Sequence, residues 1–143
     1  MTSENEITEK TRQQLVNVRG ALLRLHKTLL DFERQAFERE QGTISNSYQF
    51  LQLVMSDPWF AWLRQLSELI VEMDELLAAK EPPAESTALA LVQQARILLT
   101  PSETGSEFQR KYSGAIQQSP EVVLAHAEFA AVLGPARLSK DIH

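Results

Sequence analysis

Apolar residues recur between Leu15 and Ala36 at alternating spacings of three and four: Leu15, Val18, Leu22, Leu25, Leu29, Phe32 and Ala36. That period places them on one face of an α-helix, and a helix with one apolar face must bury it against a partner. The pattern predicts a helix over residues 5–41, stopped by Gly42 as its C′ residue. This is far longer than an average helix, so Gly20 and the polar opening turns are the candidates for a bend or a later start.

The rest of the chain repeats the helical theme in shorter pieces. A second helix is expected over 47–56, with Phe50, Leu51, Val54 and Met55 apolar. Asp57-Pro58 then reads as a start signal. The Asp57 carboxylate can accept from free first-turn N–H groups, and proline suits the first helical position. The helix it opens is expected to run from 58 to about 80, with Trp59, Leu63, Leu66, Ile70, Met73 and Leu77 as its core stripe. Trp62, Leu69 and Leu76 widen that stripe. Pro82 and Pro83 break the chain, because each pushes its predecessor out of helical conformation. A fourth helix over 85–99 carries Leu89, Val92, Leu98 and Leu99. Ser106 with Gln109 makes a capping box for a fifth, bearing Phe108, Tyr112 and Ile116. Ser119-Pro120-Glu121 repeats the cap-proline-acid signal for a last helix ending at Gly134-Pro135. Residues 1–4 and 136–143 are expected to fray. The expectation is a single all-α domain over 1–143: a four-helix-bundle-like fold, mostly antiparallel, with two short accessory helices.

Composition excludes several kinds of chemistry. A formal net charge of −5 and a pI near 5.2 argue against nucleic-acid binding by the protein as a whole. No apolar run approaches a membrane span, and the polar, acidic start Met1-Thr2-Ser3-Glu4 reads as neither signal nor transit peptide. There is no cysteine, hence no disulfide, thiol nucleophile or thiolate metal site. A cytoplasmic location is the expectation. Di-iron bundles need paired Glu-x-x-His motifs on facing helices, and none occurs around His26, His126 or His143. Serine-nucleophile and phosphate-loop motifs are missing as well. The reading is therefore a non-enzyme, with no catalytic, cofactor or metal residue assigned.

What remains are surfaces. Val16, Leu23, Leu30 and Phe37 form a second apolar row beside the core stripe of the first helix. A helix at the edge of a bundle needs only one stripe, so this row calls for a cover: the short helices of the same chain, or another subunit. Phe60 points about 100° from Trp59 on an α-helical wheel and, with Val71, marks a lateral strip. The 47–56 helix could cover it through Phe50 and Val54; uncovered, it is a partner patch. Val16, Leu23, Leu30, Phe37, Phe60 and Val71 are thus the candidate interaction surface, for a protein partner or for a second copy in a homodimer. Between the two rows run Arg12, Arg19, His26 and Glu33, while His126 lies among Val122, Ala125, Phe129, Val132 and Leu133. His26, Glu33 and His126 are the candidate polar contacts for the alternative reading: a small molecule in an apolar pocket near the Tyr48–Trp62 aromatics. The plainer reading makes the histidines neutral core residues and lets the arginines snorkel to water. Charge is also uneven. Residues 10–30 carry five cations and no acid, residues 68–75 four acids and no base. Antiparallel neighbours could set these opposite one another.

His26-Lys27-Thr28-Leu29-Leu30-Asp31-Phe32-Glu33 and residues 48–74, centred on Asp57-Pro58-Trp59-Phe60-Ala61-Trp62-Leu63-Arg64, resemble a set of uncharacterised bacterial helical proteins. The resemblance spans roughly the first half of the chain. It implies a soluble bacterial protein, names no activity and transfers no role to any residue.

Overall fold

The computed structural model describes residues 6–134. Its elements are α1 (Glu9–Gln41), α2 (Ser47–Ser56), a 3-10 segment (Pro58–Leu63), α3 (Arg64–Leu77), α4 (Glu85–Leu98), α5 (Glu107–Gln118) and α6 (Pro120–Leu133). The fold is all-α. Among the described residues the only strand-like pairing is one isolated bridge between Glu6 and Ala84. The expected fraying of residues 1–4 and 136–143 falls outside the described residues.

Helix α1 is the axis of the bundle. Thr8 caps it by accepting from the Thr11 amide at 3.1 Å, which places its start after the acidic segment rather than at residue 5. It passes Gly20 unbroken and ends where Gly42 turns to a φ of 105°, a left-handed value that only glycine adopts without strain. Leu15, Val18, Leu22, Leu25 and Leu29 are all fully buried. Each such side chain contributes about 1.5–3 kcal/mol relative to exposure. They pack against α3, α4 and α6. Ion pairs and hydrogen bonds give the directions. Arg19 meets Asp74 of α3 near one end of α1, and Glu33 meets Trp62 near the other, so α3 runs antiparallel. Arg24 pairs with Glu128 of α6 at 3.1 Å. Glu85, the first residue of α4, accepts from the Thr8 amide at 2.7 Å and the Thr11 hydroxyl at 2.6 Å. Helices α1 and α4 therefore start at the same end and run parallel. The expected cation-to-acid match between α1 and α3 is realised in the single pair Arg19–Asp74; Arg24 turns to α6 instead.

The sequence places a continuous helix from residue 58, whereas α3 begins at Arg64. Asp57 does cap the start, accepting from the Trp59 amide at 2.8 Å, but the turn it opens is 3-10 in form. In that geometry residues i and i+3 eclipse, about 120° per residue rather than 100°. Phe60 therefore shares a face with Leu63, and Trp59 with Trp62. This phase change sets the chemistry of the aromatic corner.

Candidate interaction surface

Phe60 is fully buried, which corrects its assignment to an open partner strip. The T-shaped ring of Phe50, 5.7 Å away, covers it from α2, and Phe37 packs on its other side, also at 5.7 Å. Trp59 is only half-buried, so the roles expected of Trp59 and Phe60 are exchanged. The cause is the 3-10 phase. An α-helical wheel puts Trp59 on the Leu63 face, and a three-residue turn puts Phe60 there. Both indoles then point to α1, where one carboxylate receives them: Trp59 Nε1 donates to Glu33 Oε1 at 2.8 Å and Trp62 Nε1 to Glu33 Oε2 at 3.0 Å. Glu33 thus locks the 3-10 segment onto α1.

The three polar candidates stand apart. His26 is two helical turns from Glu33, about 10 Å along α1. It lines an open cleft of about 270 Å³ with Val54, Met55, Leu63, Arg64 and Ser67. His126 sits in α6 and packs against α5, where Tyr112, fully buried, approaches its Nδ1 at 2.6 Å. Burial lowers the pKa of both histidines below the usual 6.5 and raises that of Tyr112. The neutral imidazole and protonated phenol are thereby favoured together, and the Tyr112–His126 hydrogen bond takes its direction from the imidazole tautomer. Glu33, His26 and His126 consequently serve three different contacts and do not converge on one ligand. The aromatic corner is filled by its own rings: Phe37 meets Trp59 edge-on at 5.5 Å, and Trp62 leans on Phe108 at 5.1 Å. Among the described residues, no three His, Asp or Glu side chains gather as a metal set.

The second apolar row of α1 divides. Phe37 is covered by the 3-10 segment, and Leu30 packs against the core from within the same chain. Val16 and Leu23 remain exposed, as does Val71 on α3. They lie three or four residues from Arg19 and Asp74, and so flank that ion pair on the outer side of the α1–α3 seam.

Three of the exposed large apolar side chains lie on α2, which sequence reasoning treated as a cover. None of its ten residues is buried. Its inner edge is secured: Phe50 rests on Phe60, and the Arg34 guanidinium lies over the Phe50 ring at 4.7 Å. Arg64 Nη2 donates to the Met55 carbonyl at 2.9 Å, closing the C-terminal end. The outer edge carries Tyr48, Leu51 and Met55, exposed by 72%, 52% and 65%. At spacings of three and four they form one stripe, and no residue of α2 is charged. The signal was in the sequence. Ser47–Ser56 contains six apolar or aromatic residues around the helix, more than one buried face can use. Comparison with protein-family models, with curated proteins and with solved structures finds no match for this chain.

Proposed function

We propose that this protein works through protein–protein contacts rather than catalysis, and that it associates with itself through the outer face of α2. The observation that carries this reading is the exposed, uncharged stripe Tyr48–Leu51–Met55 on a helix held in place from behind. Interface cores are depleted in charge and enriched in tyrosine and methionine, and monomers seldom leave such a strip open. Two copies carry the same net charge of −5, so they repel except where they meet through neutral surface. The α2 face is one such neutral surface, and its three exposed apolar side chains align on one helix. A stripe on a single helix can pair with itself across a two-fold axis. Ten residues span only about 15 Å, which puts the contact at the small, transient end of interfaces. Val16, Leu23 and Val71, beyond the His26 cleft, are the apolar groups placed to widen it.

Cytoplasmic residence in a bacterium belongs to the same proposal. It is supported by the resemblance of residues 48–74; no helix among the described residues is long and apolar enough to cross a membrane. Sedimentation velocity across a concentration series tests self-association. The wild-type chain is expected to shift from monomer towards dimer, and Leu51→Asp/Met55→Asp to stay monomeric with an unchanged melting temperature. A wild-type chain that remains monomeric throughout would show that α2 does not mediate self-association.

A further inference from the structure

A second surface differs from the α2 face in both position and chemistry. Where α3, α4 and the start of α5 meet, a groove of about 440 Å³ opens to solvent. Leu69 and Leu98 form its floor, and Ile97 stands in it 57% exposed. Glu68 and Glu72 form the α3 rim, one helical turn apart, and Glu75 continues the row. Like charges at that spacing repel by a few tenths of a kcal/mol. Among the described residues none of the three acids takes part in an ion pair. The opposite wall is uncharged: Gln94 from α4, and Gln109, whose amide donates to the Ile97 carbonyl at 2.8 Å.

We infer that this groove receives a cationic amphipathic segment of another protein. Its apolar side chains would rest on Leu69, Ile97 and Leu98, and its lysines or arginines would lie along the Glu68–Glu72 rim. The occupant is fixed by the two halves of the groove together. The apolar floor calls for a segment with an apolar face, and an acidic rim engaged in no ion pair among the described residues favours positive flanks and disfavours a negative partner. This inference does not rest on the α2 reading: the two surfaces share no apolar contact residue, and Glu72 and Ile97 lie on the groove alone while Glu68 also lines the His26 cleft beside Met55.

The probe is a synthetic helical peptide of leucine and lysine at spacings of three and four, with a leucine–glutamate peptide of the same pattern beside it. Binding is followed by amide chemical-shift mapping and fluorescence anisotropy at physiological ionic strength. The lysine peptide is expected to shift amides around Leu69 and Ile97, and the glutamate peptide to shift none. Glu68→Gln/Glu72→Gln should weaken binding about tenfold, the loss of two partly screened pairs. Ile97→Ser should weaken it with the charge intact. Glu40→Gln/Glu81→Gln changes the net charge equally, away from the groove, and should leave affinity unchanged. Thermal melts confirm that each variant is folded. Equal weakening by both glutamate pairs, shifts mapping elsewhere, or no binding at all would overturn the inference. So would self-association of the wild type that Glu68→Gln/Glu72→Gln abolishes, because a second copy would then be the occupant.

Discussion

Two neighbouring aromatic residues show how much depends on local helical pitch. Phe60 has no exposed surface and touches Phe37 and Phe50, whereas Trp59 keeps a solvent-facing edge and spends its indole N–H on Glu33. Truncating a buried phenylalanine costs about 3–5 kcal/mol, from lost transfer energy and the cavity left behind. Phe60→Ala is therefore expected to lower the melting temperature by on the order of 10 °C in a domain of this size. Trp59→Ala should lower it less, because Trp62 continues to hold Glu33 and the lost contacts are partly hydrated. Differential scanning calorimetry of the two variants decides the order, and a larger loss for Trp59→Ala would contradict the 3-10 phase. Nothing in a wheel drawn at 100° per residue could assign these faces correctly. The helix-start residues Asp57 and Pro58 mark where the turn begins, but both are compatible with either pitch.

The helices themselves were legible because their signals are local. Asp57, Ser106 and Ser119, read as caps from their residue type, each accept an amide hydrogen bond at a helix start; Thr8 and Asn46, which the sequence reading did not mark as caps, do the same. The core stripe of α1 was legible for the same reason, since periodicity is local too. What covers an apolar row is a tertiary matter. Phe37 and Leu30 found cover within the chain while Val16 and Leu23, on the same row, did not. The α2 face was missed because its inner residues, Phe50 and Val54, supplied a sufficient reason for the helix to be apolar. The contact between α1 and α4 was equally invisible, since it joins residues 77 positions apart. Glu85 accepts from the Thr11 hydroxyl and the Thr8 amide, and these bonds, the Thr11 bond foremost, hold its carboxyl below the usual range. Glu85→Ala should speed amide hydrogen exchange in the first turn of α1, while the turns around Leu22 stay protected. Unchanged exchange at Thr8 would show that Glu85 contributes nothing to the start of α1.

Across the whole molecule, acid should weaken the fold in a definite window. His26 and His126 have lowered pKa values in the folded chain because burial penalises their charged forms. Near and below pH 6.5 the unfolded chain then binds more protons than the folded one, so stability falls with pH. The contribution of both histidines is fully present above 6.5 and is lost as pH drops through their lowered folded values. Urea midpoints measured from pH 8 to 5 should decline below about 6.5, and His26→Gln/His126→Asn should flatten that slope. The asparagine carbonyl oxygen can still accept from Tyr112. A slope unaffected by the double variant would place the acid sensitivity elsewhere.

Pairing of two copies through the outer face of α2, as proposed, is open to direct measurement. The chain has no native cysteine, so Gln52→Cys supplies a single labelling position beside the Tyr48–Leu51–Met55 stripe. Dipolar electron spin resonance on the spin-labelled chain, at concentrations spanning its association, reads intermolecular distances alone. A dimer formed through α2 is expected to give a short, narrow distance that grows in amplitude with concentration and vanishes in the Leu51→Asp/Met55→Asp background. A featureless decay at every concentration, or a distance that survives those two aspartates, would contradict it.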